Sequence, residues 1–270
     1  MANVEMMSLE QIHECLLDIL RDVDRFCTDN GIRYSLAYGT LIGAVRHKGF
    51  IPWDDDVDLL MPRPDFERFV ASYGQDRNAR YRCLYRTDDG ESRFLHFFAK
   101  VEDSWTVCRQ GRSENYSFGV SLDIFPVDGK PADSSVWPRF ERRLTSCAHR
   151  LNICSTKFDL FNFHQPLLSK IEAHLRGPRY WIEKCDESMK AYPFGSSEYA
   201  GSVSCTHNGT REIFRKELFE NYTRLEFEGS MFMAFRDWET FLVQQYGDYM
   251  QLPPVGKRAT HGMTAYYRHG

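Results

Sequence analysis

Apolar positions recur at helical spacing over the first thirty residues and at shorter spacing soon after, so the chain opens as one amphipathic helix that leads into strands. Leu9, Ile12, Leu16, Ile19, Leu20, Val23 and Phe26 line one face of a helix over 9–27. Ser8 and Gln11 form a capping box at its start, and Asn30-Gly31 supplies its stop. "IRYSLAY" (32–38) predicts a short strand, "TLIGAVRH" (40–47) a short helix, "GFIPWDD" (49–55) a loop and "DVDLLM" (56–61) a strand. Pro64 suits the first turn of a further helix whose inner face is Phe66, Phe69, Val70 and Tyr73. "RYRCLYR" (80–86) and "RFLHFFAKVE" (93–102) predict strands, and "GVSLDIFPVDG" (119–129) predicts one that Pro126 and an Asp128-Gly129 turn would end.

Beyond residue 133 the spacing turns helical over 134–153, 166–190 and 234–246, with a hairpin-like "RLEFEGSMFMAF" (224–235) between. The expected fold is therefore α+β. A mixed sheet with flanking helices occupies 1–130, and a mainly helical half, 131–270, completes the site and packs with the core as one unit. The 270 residues are enough for a substantial core. A formal net charge of -4 argues against a duplex nucleic-acid partner, whose binding needs clustered cations. No apolar run reaches membrane-spanning length and the N-terminus lacks a signal pattern, which predicts a cytoplasmic protein. Eight cysteines without a C-x-x-C pair fit a reduced compartment.

The chemistry concentrates in "WDDDVDLLM" (53–61). Alternate side chains of a strand share a face, so Asp56 and Asp58 project together while Val57, Leu59 and Met61 point into the core. Asp123 repeats the arrangement against Val120, Leu122 and Ile124. Carboxylates gathered at buried strands call for a cation, and Mg²⁺ or Mn²⁺ suits an oxygen donor set. An EF-hand starting at Asp54 fails, because its sixth and twelfth positions would be Leu59 and Asp65. A D-x-D glycosyltransferase using a nucleotide sugar remains an alternative, as does a non-catalytic nucleotide- or glycan-binding module.

Gly39-Thr40 at a helix start, D-h-D on the next strand and a later h-D-h strand resemble the polymerase-beta-type nucleotidyltransferase superfamily. "YGTLIGAVRHKGFIPWDDDVDLLMPRPDFERF" (38–69), "LDIFPVDG" (122–129), "YGDYMQLPP" (246–254) and "KRATH" (257–261) resemble, more closely, the LicD family of phosphocholine transferases, to which fukutin and fukutin-related protein are distantly related. The resemblance implies a nucleotidyltransferase-like sheet and transfer of a phospho-alcohol from CDP-choline, or from a CDP-activated ethanolamine, ribitol or glycerol. The acceptor would be a hydroxyl of a cell-surface glycan or its lipid-linked precursor, and CMP would leave. It implies that Asp56 and Asp58 hold Mg²⁺, that Asp123 is a further ligand or the base, and that Gly39 and Thr40 cradle a phosphate. Arg46 and Lys48 would meet charge developing on the transferred group, and Lys100 would reach the nucleotide phosphates unless it only covers a strand edge. A choline head is held by aromatic faces, for which Trp53 and Trp105 are the candidates. His96 fits a hydrogen-bonded core or rim position, Asp128 a turn, and His261 a segment that closes over the site.

Overall fold

Ser8 caps the first helix as its sequence requires: its hydroxyl accepts from the Gln11 amide at 3.2 Å, and the Gln11 side chain accepts from the Ser8 amide at 2.8 Å. The helix, α1, runs Leu9–Asp29, and its apolar face packs on the central sheet. The structure is a computed structural model that describes residues 6–74, 79–88, 93–109, 118–155, 166–202, 206–258, 260 and 262–268. After α1 come β1 (Ser35–Leu36), α2 (Tyr38–Arg46), β2 (Asp58–Pro62) and α3 (Arg63–Ser72). β3 (Tyr81–Leu84), β4 (Thr87–Asp88), β5 (Arg93–Phe94), β6 (Ala99–Asp103), β7 (Thr106–Arg109) and β8 (Ser121–Lys130) follow. The remainder is α4 (Trp137–Ser155), α5 (Leu167–Met189), β9 (Tyr199–Ser202), β10 (Phe214–Arg215), β11 (Tyr222–Phe227), β12 (Ser230–Phe235), α6 (Trp238–Tyr246) and β13 (Thr264–Tyr267).

Among the described residues the sheet has seven strands, in the order β1-β2-β8-β6-β3, with β9 and β10 added beside the distal half of β8. β2 and β8 run parallel and the other pairs are antiparallel. β8 is the spine. Its first half pairs with β2 on one edge and β6 on the other, and its second half exchanges β6 for β9. This corrects the expectation that Pro126 and a turn at Asp128-Gly129 end the strand. The Asp123 amide donates to Val57 O, towards β2 (2.8 Å), so by alternation position 126 directs its missing N–H to the opposite edge. There the β6 pairing stops at Ile124 and the β9 pairing begins at Val127, so no ladder bond is lost. Gly129 pairs with Ala200 within the strand, and only glycine fits there because a Cβ would run into Ser197 Oγ and Tyr192 O.

The mixed sheet and flanking helices are as expected, but the C-terminal half is not mainly helical. Strands β9 to β13 lie within it, and the helix expected from 234 starts at Trp238, because 230–235 pairs with β11. The alternation in "RLEFEGSMFMAF" is a hairpin, as its period of two requires. The single strand expected over 93–102 is two, β5 and β6, parted by bends at 97 and 98.

Asp128, expected in a turn, is 1% exposed and takes two hydrogen bonds from Arg63, from Nε at 2.7 Å and Nη2 at 2.5 Å. Arg63 Nη1 also lies 3.8 Å from Asp186 on α5, and Asp186 meets Arg86 and Lys190 as well. This ionic cluster joins the sheet to the α4–α5 pair.

Candidate active site

Register, rather than sequence proximity, assembles the site. Asp58 on β2 lies opposite Asp123 on β8, and Asp123 lies opposite Lys100 on β6. Three chemically active side chains thus form one row across three neighbouring strands. Lys100 Nζ donates to Asp123 Oδ1, and Lys100 is only 8% exposed. On the other edge of Asp58, Thr40 Oγ1 accepts the Asp58 amide at 2.9 Å, which ties the first turn of α2 to the start of β2.

α2 begins at Tyr38, so Gly39 and Thr40 occupy the positive end of a helix. A Cβ on Gly39 would sit 2.7 Å from Asp54 Oδ2, so the absent side chain lets the Asp54 carboxylate approach that end. β2 starts at Asp58, and Asp56 therefore belongs to the preceding loop rather than to the strand. That loop is firmly held. His13 Nε2 lies 2.6 Å from Asp54 O, and the His13 ring stacks on Phe50 at 3.9 Å between centroids. Asp55 is 2% exposed and accepts the Met263 amide at 2.8 Å, fixing the C-terminal segment beside the loop.

The electrostatics are those of an acidic cluster. Burial pushes the Asp58 carboxyl well above the usual carboxylate range; Asp56, Asp123 and Asp54 add to the rise, and Lys100 opposes it. Asp54 was not singled out from sequence, although its place in the aspartate run was the available signal. Among the described residues no three acidic, His or Cys side chains converge into a ready-made metal shell. Mg²⁺ does not require one, since it commonly takes one or two carboxylates and completes its octahedron with water and substrate phosphates. The donor chemistry of Asp56 and Asp58, with the repulsion at Asp58, fits such an ion.

An aromatic wall borders the row. Phe125, two residues from Asp123 on the same strand face, meets Phe98 at 5.0 Å and Tyr38 at 6.1 Å. Phe94 and His96 continue the wall, and Lys100 Nζ lies over Phe98 and Phe118 at 5.7 and 5.2 Å. His96 sits among these rings, and burial, with help from Lys100, lowers its pKa to about 4.

The remaining predicted residues lie elsewhere. Arg46 ends α2, away from Gly39, with Nη1 donating to Tyr249 O at 2.7 Å. Burial lowers its pKa, and the charge of Arg258 lowers it further. Arg258 lies over the Trp53 ring at 4.9 Å, so one face of Trp53 already carries a cation. Lys48 is exposed just past α2, and Trp105 stands under Arg80 beyond the far end of β6. Neither is brought to the carboxylate row by any contact among the described residues. His261 lies outside the described residues. Sequence reasoning missed Arg258, although it stands inside "KRATH".

Comparison with known proteins accords with this arrangement. The family model LicD/FKTN/FKRP, nucleotidyltransferase domain, matches residues 31–149, which span α2, β2, β6 and β8. The lipopolysaccharide cholinephosphotransferase LicD of Haemophilus influenzae is 30% identical over 269 residues, covering 97% of this chain and 98% of that protein. The chain belongs to the LicD family. Human ribitol 5-phosphate transferase FKRP is 47% identical over 49 residues, 17% of this chain and 10% of FKRP. Mannosyltransferase regulator 4 of Saccharomyces cerevisiae is 29% identical over 109 residues, 40% of this chain and 9% of its own length. At 97% coverage, the similarity to the Haemophilus enzyme extends through the part of this chain beyond residue 149.

Proposed function

We propose that this LicD-family protein transfers phosphocholine from CDP-choline to a hydroxyl of lipopolysaccharide or its glycan precursor, with Mg²⁺ as cofactor. The observation that carries the chemistry is the row Asp58–Asp123–Lys100, set across β2, β8 and β6 beside the helix start at Gly39 and Thr40. Near full-length similarity to a cholinephosphotransferase supports the choice of donor. The acceptor oxygen forms a bond to the choline-bearing phosphorus, the phosphoanhydride bond breaks, CMP leaves with its electron pair, and the acceptor proton passes to a base.

In this reading Asp56 and Asp58 would hold Mg²⁺, which when bound would supply positive charge against the diphosphate and the leaving phosphate. Asp123, oriented by Lys100, takes the acceptor proton, and the Lys100 ammonium faces the transferred phosphoryl oxygens. The start of α2 offers backbone N–H groups to a phosphate. Phe125 supplies an aromatic face for a quaternary ammonium beside the row, while Phe98 and Phe118, like Trp53, already carry a cation on one face. The 49-residue match to a ribitol 5-phosphate transferase covers too little of the chain to bear on the head group.

The deciding experiment is calorimetric titration with CDP-choline, CDP-ethanolamine, CDP-ribitol, CDP-glycerol and UDP-glucose in the presence of Mg²⁺. Wild type should prefer CDP-choline, and Asp56→Ala should abolish Mg²⁺-dependent binding and lower transfer by about 10²–10⁴-fold. Preference for UDP-glucose, or binding indifferent to Asp56, would overturn the reading.

A further inference from the structure

α5 carries the same apolar spacing twice and treats the two copies oppositely. Leu167, Leu168, Ile171 and Leu175 have offsets of 0, 1, 4 and 8; Trp181, Ile182, Cys185 and Met189 repeat them fourteen residues later. The second set is buried, with Cys185 and the Trp181 ring in the core between α4 and α5. The first set faces solvent: Leu168 and Leu175 are 81% and 84% exposed, Leu167 and Ile171 49% and 46%. The cause is Gly177, whose φ of 77° and ψ of 167° break the helix before Pro178 and re-aim the first half. Ala173 and Lys170 bury the opposite side of that half. At 100° per residue the exposed four fill an arc of about 100°, interrupted by no polar residue.

We infer that this face docks on an anionic phospholipid bilayer. Charge favours that occupant. α4 and α5 together carry eight Lys and Arg against five Asp and Glu, a net of +3, in a chain whose total is -4. Arg176 and Arg179 stand exposed at the end of the stripe, and Arg179 has no carboxylate partner among the described residues. Glu172, the carboxylate nearest the stripe in the helix, is neutralised by Arg150 and Arg176. Size favours it too. Four aliphatic side chains along one short helical segment fall well below the roughly 800 Å² per partner of a stable protein interface, whereas an interfacial helix needs only one apolar face with cationic flanks. The inference deepens, and rests on, the phosphocholine-transfer reading in this respect: an acceptor such as lipopolysaccharide is itself anchored in a bilayer.

The test is co-sedimentation of the full chain with phosphatidylcholine vesicles and with vesicles of equal parts phosphatidylcholine and phosphatidylglycerol, without donor or Mg²⁺. Wild type should pellet with the anionic vesicles, and Leu168→Gln/Leu175→Gln should lower the bound fraction by about tenfold or more. Because both leucines are exposed, the variant should keep the wild-type melting temperature and the wild-type rate towards a soluble acceptor. A Leu168→Trp variant should show a blue-shifted emission on anionic vesicles. Absence of wild-type binding, equal binding by the double variant, or a wild-type dimer that the double variant dissolves would each overturn the proposal. A protein that docks but transfers nothing would overturn the catalytic reading alone. A transferase that ignores vesicles would overturn this one alone.

Discussion

Asp58 carries a carboxyl whose charged form the apo protein disfavours. Burial, then the carboxylates of Asp56, Asp123 and Asp54, raise its pKa, so the charged form is costly in the folded protein without a cation beside it. Asp58→Asn should therefore raise the melting temperature of the metal-free protein, by about 2–4 °C for each kcal/mol of repulsion relieved. With Mg²⁺ at the proposed site the wild-type melting temperature should rise, Asp58→Asn should abolish that rise, and transfer should fall with it. Differential scanning calorimetry with and without Mg²⁺ reads both effects. A variant that melts lower than wild type without metal would refute the assignment of Asp58 as the strained ligand. Thr40 and Gly39 are read differently from how their motif suggests. The Thr40 hydroxyl already serves the Asp58 amide, and Gly39 makes room for Asp54, so both shape the cluster as well as any phosphate cradle.

At the scale of elements, β8 decides the architecture because it carries Asp123 at one end and Asp128 at the other. The Arg63–Asp128 pair is buried on both sides, with side-chain exposures of 7% and 1%. Removing one partner leaves the other charge uncompensated, so Asp128→Ala should cost about 3–5 kcal/mol in urea unfolding. A cost below about 1 kcal/mol would mean that the pair is not the clamp between the sheet and α5. From sequence, Asp128-Gly129 reads as a turn, since that dipeptide commonly is one. Only the approach of Ser197 and Tyr192 explains why a strand requires glycine there. The two halves of α5 make the same point about periodicity: an identical pattern is core in one and surface in the other, because a single backbone break lies between them.

For the whole molecule, two groups near the row give stability opposite dependences on pH. His96 is depressed to about 4 from 6.5, so its contribution is complete above 6.5 and is lost as pH falls towards 4, where the unfolded chain takes the proton first. Asp58 is raised, so the folded state takes its proton first and stability increases as pH falls through its folded pKa. Metal-free His96→Phe should consequently lose less stability than wild type on acidification from 6.5 to 4, and Asp58→Asn should lose more. Thermal melts across that interval measure both. Parallel curves for the two variants would show that neither group titrates as its surroundings require.

The linear chain determined the things that depend on neighbours in sequence. These are the capped amphipathic α1, a short helix at Gly39-Thr40, the hairpin read over 224–235, the aspartate run against a buried strand, and the membership in a family whose quoted segments are contiguous. Local geometry and period follow from residues a few positions apart, so they can be read without a fold. Tertiary structure alone decided what depends on register and on chain reversal. It set Lys100 beside Asp123 and Asp58, brought Arg258 to Trp53, carried Pro126 through a strand at the change of partner from β6 to β9, and turned the first half of α5 outward. Each of these joins segments far apart in the chain or hinges on one backbone angle, and local hydrophobic spacing encodes neither.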